Sequence, residues 1–333
     1  MDATFEHKSI SGIGDYLNAL NHALYLCDLL RLSYLHTPSQ LPNRTGHPSI
    51  DAFLGINHLP AISERTEDWE ELTMYQGYSS IAEGNSWVSG FAGHQRVKIV
   101  FAPSDYQHGS FFSEVRRNNK MFGYHKSLTT ALVNSQMYSR YRHLKTGLNS
   151  SSAKRLLLHV RRGDVALTPL RLIAQEYSIQ DFTDAYYYPI TGEIIHGLPS
   201  DFSNLHQSHR IISNDAYLKA LDETIASSTP LDVILVSDGY TQASKHIAKI
   251  VMQKKGLSNV CPGDVELLLN QNLAPLTEKA TLSLIGETSC NLELSLVEFL
   301  LADHVIHGPS CFPMSIRRMA GVEDPALKAL AQS

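Results

Sequence analysis

The chain has 333 residues, 43% of them apolar and 18% charged, with a formal net charge of −5. That composition excludes a disordered or fibrous chain and leaves no broad electrostatic footprint for nucleic acid or an anionic membrane surface. The length exceeds the size at which a single core stops growing, so two domains are expected, and any anionic ligand must be held by local arginines.

A short strand is expected before Ser11-Gly12-Ile13-Gly14-Asp15, followed by a helix with Leu17, Leu20, Leu24 and Cys27 along one face. A glycine turn entering a helix lets backbone approach a ligand at the positive end of the helix dipole. Residues 37–95 are rich in Pro, Gly, Ser, Asn and His, and read as loops and short helices. Trp69, Tyr75, Tyr78 and Trp87 within them are suited to stacking on sugars, although ordinary packing is the favoured reading. Arg96 to Pro103 alternates apolar and charged residues and reads as a strand; helices are expected at about 110–122 and 128–145. The polar run Thr146 to Ser152 reads as an interdomain linker, dividing the chain into domains 1–150 and 151–333.

Next comes Lys154-Arg155-Leu156-Leu157-Leu158-His159-Val160-Arg161-Arg162-Gly163-Asp164. Three leucines running into a charged, glycine-containing loop predict a buried strand with chemistry at its carboxyl end, where open α/β sheets bind ligands. Two adjacent arginines suit a diphosphate, because each guanidinium offers a planar fork of donors. The alternative is a surface turn in which Arg162-Gly163-Asp164 pairs with itself, or an adhesion loop of that type. The apolar strand feeding into it argues for a site.

Residues 166–212 read as loop. His206 and His209 within them have the spacing of a metal-ligand pair but lack a third ligand. Ser213-Asn214-Asp215 caps a helix to about 227. Leu231 to Val236 is a buried strand ending at Ser237-Asp238-Gly239, helices are expected at 241–254 and 278–286, and a last helix spans Leu292 to Ala302. The segment His304 to Phe312 then passes through Ser310. Arg317 and Arg318 read as a solvated helix face. Cys27, Cys261, Cys290 and Cys311 are far apart with no C-x-x-C pair, which fits a reducing compartment. The first residues lack the apolar core of a signal peptide, and no stretch approaches a membrane span, so a cytoplasmic location is expected.

His159-Val160-Arg161-Arg162-Gly163-Asp164 resembles the H-x-R-R-x-D signature of the α-1,2-, α-1,6- and protein-O-fucosyltransferases, most closely the α-1,2 branch. Gly12-Ile13-Gly14-Asp15 resembles that branch's G-x-G-N opening, with Asp15 for Asn. Ser237-Asp238-Gly239 resembles its S-D-D motif, with Gly239 for the second Asp. Ser310-Cys311-Phe312-Pro313 resembles its S-[ST]-F-S motif, with Pro313 for the last serine and so without a hydroxyl expected near the donor phosphate.

The resemblance implies an α/β fold of GT-B type, two Rossmann-like domains facing across a cleft, the first on the acceptor side and the second binding the nucleotide sugar. It implies transfer of L-fucose from GDP-fucose to a glycan hydroxyl with inversion, and no metal or other cofactor. Arg162 would hold the diphosphate, Arg161 would lie near the glycosidic oxygen, and His159 would frame the nucleotide site. Asp164 would fix an arginine fork; it and Asp15 are the candidates for a general base. Gly12, Gly14, Ser237, Asp238, Ser310 and Phe312 would line the substrates. Two alternatives remain: a GT-B transferase using another nucleotide sugar, and a sugar-nucleotide-binding protein that has lost catalysis.

Overall fold

The computed structural model describes residues 2–7, 13–37, 42, 47–62, 69–73, 96–101, 124–148, 154–161, 212–226, 231–239, 244–245, 263, 266–267, 270, 273–286, 288–308, 312–323 and 325–330. The chain forms two compact units: Met1–Leu144 with Cys311–Glu323, and Lys145–Ser310 with Asp324–Ser333. Both are α/β.

The first unit is built on a parallel sheet of β1 (Asp2–His7), β2 (Ser33–Tyr34), β3 (Glu70–Thr73) and β4 (Arg96–Phe101), in the order β2-β1-β4-β3. After β1 comes α1 (Ile13–Leu30), which begins between the two glycines of the turn read from the sequence. Its predicted apolar face is buried, with Leu17, Leu20, Leu24 and Cys27 all at 4% exposure or less. Burial, assisted by neighbouring Asp28, pushes the Cys27 thiol up to about 12, so it is an inert apolar filler.

The helix expected over 128–145 is two helices, α3 (Lys126–Val133) and α4 (Gln136–Leu148). Ser135 makes the break: its hydroxyl donates to the Leu132 carbonyl at 2.5 Å and accepts the Tyr138 N–H at 3.1 Å, closing one helix and capping the next. His125 caps α3 by accepting the Ser127 N–H on Nδ1 at 3.2 Å. The ring proton is therefore on Nε2, which donates to Asp28 of α1 at 2.8 Å, while the His125 backbone N–H donates to Asn21 Oδ1 at 2.7 Å. α2 (Ile50–Phe53) and a 3₁₀ turn at Ile56–His58 precede this segment.

Trp69, just before β3, is 7% exposed with the Arg96 guanidinium 5.8 Å from its ring centre, so it is a packed residue beside β4. Tyr75, Tyr78 and Trp87 lie outside the described residues. So do the expected helices at 110–122 and, apart from residues 244–245, at 241–254.

The C-terminal α8 (Phe312–Met319) packs on α1 and α3 of the first unit, with Ile316 and Met319 fully buried. This corrects the solvated-face reading for Arg317, which is 5% exposed and donates from Nε and Nη2 to the Glu323 carbonyl at 3.0 and 2.5 Å. The side chain holds the turn that ends its own helix. Arg318 is exposed, as read.

The second unit is a parallel sheet of β5 (Lys154–Val160), β6 (Leu231–Ser237), β7 (Leu282–Ile285), β8 (His304–His307) and β9 (Ala326–Ala329), in the order β7-β6-β5-β8-β9. Its first strand is central. The chain adds β6 and β7 on one side and then reverses to add β8 and β9 on the other, which is the Rossmann order with a switch point between β5 and β8. β7 corrects the helix expected at 278–286. Leu282 to Ile285 pair with Ile234 to Ser237, so sheet extension outcompetes a helix too short to bury a face of its own. Its described helices include α5 (Asn214–Ala226), α6 (Ala274–Thr277) and α7 (Ser289–Leu301), the last capped by Thr288, whose hydroxyl accepts the Asn291 N–H at 3.1 Å. No described helix is long and apolar enough to cross a membrane.

The amino end of this sheet is held by charge. Arg155 of β5 forms an ion pair through Nη1 with Glu298 of α7, their side chains 19% and 8% exposed, and the Arg155 backbone N–H donates to Asp303 Oδ2 at 2.9 Å. Glu298→Ala removes the partner of a largely desolvated guanidinium, so it should cost about 2–3 kcal/mol of stability, below the fully buried range because Arg155 retains some water. Arg155→Met with Glu298→Leu should recover most of that loss; urea denaturation of the three chains measures it.

Two histidines set the acid response. His36 follows β2, is 5% exposed, and has the Tyr34 hydroxyl 3.0 Å from Nδ1; burial lowers its pKa to about 4. His159 in β5 is 8% exposed, and burial, reinforced by His307 and Arg161, lowers its pKa to about 3. Both are neutral in the fold and take up protons more readily when unfolded. The stability they contribute is therefore complete above about pH 6.5 and is lost as pH falls from there toward their folded values, at about 1.4 kcal/mol per pH unit for each ring. The urea midpoint should decline steadily from pH 6.5 to 5; a midpoint flat over that interval would show that the rings are not held neutral.

Candidate functional site

The apolar run Leu156 to Leu158 is buried, as a central parallel strand requires, and it delivers His159, Val160 and Arg161 to the carboxyl edge of the sheet. At that edge Val160 is level with Ser237 of β6, and His159 is level with His307 of β8. The chain segments following β5, β6 and β8 therefore leave the same edge of the second unit, with β5 and β8 flanking its switch point. This is the arrangement in which doubly wound sheets bind ligands.

His159 is fixed from several sides. Tyr217 of α5 donates its hydroxyl to the His159 carbonyl at 3.1 Å, and Phe299 of α7 meets the imidazole edge-on, with ring centres 5.5 Å apart at 90°. The His159 Nδ1 is buried with no partner among the described residues. Arg161 is half-buried and close enough to depress the His159 pKa. Arg162 and Asp164 lie outside the described residues.

The turn after β6 accounts for Gly239. Ser237 is 3% exposed; its hydroxyl accepts the Gly239 N–H at 3.1 Å, and its carbonyl accepts the Gly286 N–H at 3.1 Å. Gly239 has φ +62°, and a Cβ there would meet Gly286 N and Ile285 Cγ2 at 3.2 Å and Asn270 Oδ1 at 3.3 Å. An aspartate in place of Gly239 would be both strained and crowded, so the departure from S-D-D follows from the close approach of the β6 and β7 ends. Asp238 is half-buried beside this turn.

Among the other expected site residues, Gly14 lies in the first turn of α1 in the first unit, half-buried. Asp15 belongs to the same helix; Gly12 and Ser310 lie outside the described residues, and Phe312 opens α8. The second unit thus brings His159, Arg161, Ser237 and Asp238 to one sheet edge.

His307, Tyr217 and Phe299 were missed by sequence reading. A signal for His307 was available, since Leu-Leu-Leu-His and His-Val-Ile-His both end an apolar strand on histidine. Tyr217 and Phe299 carry no local mark of their role, because helix packing alone directs them to His159.

No family model matches the sequence, and no curated protein matches it. Among solved structures, the chain is similar to POFUT1 in complex with GDP-fucose, with 11% identity, a TM-score of 0.45, and 98% of this chain and 97% of that chain covered. It is also similar to an arginine-to-lysine mutant of Arabidopsis thaliana FUT1 in complex with GDP, with 10% identity, a TM-score of 0.39, and 98% of this chain and 70% of that chain covered. At such identity and overlap, the residues at the end of β5 have to carry a functional reading by themselves.

Proposed function

We propose that the chain is a fucosyltransferase that moves L-fucose from GDP-fucose to a hydroxyl of a glycan acceptor with inversion. In this proposal it is a GT-B enzyme of the α-1,2 type, with 1–150 on the acceptor side and 151–333 holding the nucleotide sugar. The observation that carries the reading is the position of His159 and Arg161, with which the H-x-R-R-x-D sequence begins: they end the central strand of a Rossmann-ordered sheet beside the switch point.

In such a transfer the anomeric carbon becomes oxocarbenium-like while negative charge collects on the departing GDP. A preorganised guanidinium fork at the diphosphate then stabilises the transition state more than the ground state. Arg162 is assigned to the diphosphate and Arg161 to the region of the glycosidic oxygen. Asp164 orients a fork, which is the role of a carboxylate locked in a bidentate pair. His159 is too strongly depressed to supply a positive charge at neutral pH, so it frames the site as a neutral ring.

The arginines provide the counter-charge that a metal supplies elsewhere, and the proposal therefore requires no metal. GDP and GDP-fucose should raise the melting temperature without added metal, because a ligand that binds only the native state stabilises it by mass action. Turnover should persist in EDTA. Activity abolished by EDTA and restored by Mn²⁺ would overturn the arginine-only mechanism. A second reading, another nucleotide sugar, is favoured by the chemistry of the loop, which addresses a diphosphate and neither fucose nor guanine. Larger thermal shifts with GDP-mannose or UDP-sugars than with GDP-fucose would select it.

A further inference from the structure

We infer that His307, at the carboxyl end of β8, contacts substrate in the switch-point site, with its Nε2 accepting a hydrogen bond from a sugar hydroxyl. The inference rests on the nucleotide-sugar reading above and names a group that this site would use. His307 is the register partner of His159 in the parallel β5–β8 pair, so both side chains leave the same face of the sheet. Arg161 lies two residues beyond His159, just past the end of β5. The three groups are within electrostatic reach, since both His307 and Arg161 act on the His159 ring. His159, 8% exposed beneath Phe299, has an Nδ1 without a partner among the described residues, a buried polar atom that calls for one.

The tautomer of His307 follows from its own backbone. Its Nδ1 lies 2.6 Å from the Gly308 carbonyl oxygen, and a carbonyl only accepts, so Nδ1 carries the proton and donates it. The neutral ring then has its lone pair on Nε2, and the side chain is half-buried at the sheet edge. A lone pair repels a phosphate oxygen and pairs with a donor. In a nucleotide sugar and a glycan, the abundant donors are hydroxyls, and two sources fit.

One source is the ribose of the nucleotide, which Nε2 would hold in place. The other is the attacking hydroxyl. In that case the acceptor oxygen bonds to the anomeric carbon, the bond from that carbon to the β-phosphate oxygen breaks, and its electron pair leaves with GDP. The hydroxyl proton passes to Nε2, leaving His307 as imidazolium.

Three variants of the full chain separate these roles. His307→Gln places an amide oxygen near the Nε2 position, His307→Asn reaches only the Gly308 carbonyl, and His307→Phe keeps a ring without polar atoms. The measurements are Kd for GDP and 2′,3′-dideoxy-GDP, the same pair for the uridine nucleotides, and kcat for GDP-fucose hydrolysis with water as acceptor. If the ribose is the partner, the wild type favours GDP over its dideoxy analogue by about tenfold. That ratio falls to near one in His307→Phe and His307→Asn and is largely kept in His307→Gln. If the attacking hydroxyl is the partner, affinities hold and hydrolysis falls by about a hundredfold in His307→Phe and His307→Asn.

A wild-type ratio together with a wild-type kcat in His307→Phe overturns the inference. Should that variant not fold, a wild-type ratio together with a wild-type kcat in His307→Asn does so. The donor assignment fails separately: a ribose ratio that depends on His307 for uridine and not guanosine nucleotides would remove GDP-fucose while keeping the role of His307. Absence of any nucleotide binding by the wild type would remove both.

Discussion

Arg162→Ala should leave less than about one per cent of the wild-type transfer rate, a loss of roughly 3 kcal/mol of transition-state stabilisation by analogy with removal of an oxyanion-type donor. The effect should fall on kcat as well as on kcat/KM if, as proposed, Arg162 meets the diphosphate, whose charge is greatest in the transition state. Arg162→Lys keeps the charge and loses the planar fork, so it should recover little; rescue by lysine would mean that a point charge suffices. Asp164→Asn keeps shape and hydrogen bonding and should retain partial activity, which sets it apart from an essential base. Steady-state kinetics on chains with unchanged melting temperature measure this series. A near-normal rate in Arg162→Ala would move the catalytic centre away from the loop after β5.

The largest effect on folding is expected at Gly55, which has φ +75° at the start of the 3₁₀ turn. A Cβ at that position would sit 2.2 Å from the Ala131 carbonyl oxygen of α3 and 2.9 Å from Ser135 Cβ. The obstructing atoms are helix backbone and the cap between α3 and α4, so they cannot swing aside as a flexible side chain would. Left-handed strain and overpacking add, and Gly55→Ala should cost about 4 kcal/mol. The response should appear as a large fall in the urea midpoint. A fall of less than about 1 kcal/mol would mean that α3 does not approach the turn this closely.

The central strand was legible because its cause is local. Lys154 to Val160 contains the apolar run Leu156 to Leu158, which suits a strand covered on both faces, and a charged, glycine-containing sequence follows. The α1 stripe and the strands at 96–101 and 231–237 were legible for the same reason, since each carries its period in its own residues. Reading failed where partners decide. Leu282 to Ile285 is too short to declare itself and becomes a strand because β6 offers an edge. Glu70 to Thr73, a strand inside a segment read as loop, has two adjacent glutamates and pairs only because β4 is beside it. Arg317 looked solvated because a charged side chain usually is; its burial depends on the Glu323 carbonyl, which the chain brings back six residues later.

The sequence alone determined the candidate chemistry: an arginine loop at the end of an apolar strand, with a second carboxylate-bearing turn after Val236. Both are contiguous residues whose types and order dictate what they can bind. The central, parallel place of β5 was expected from sequence and is found; only the tertiary structure decided that the switch point falls between β5 and β8 and that His307 stands level with His159. Strand order and register depend on which edges bury the most apolar surface together. That balance is struck between segments nearly 150 residues apart, as with Leu156 and its partner His304, and no local pattern records it.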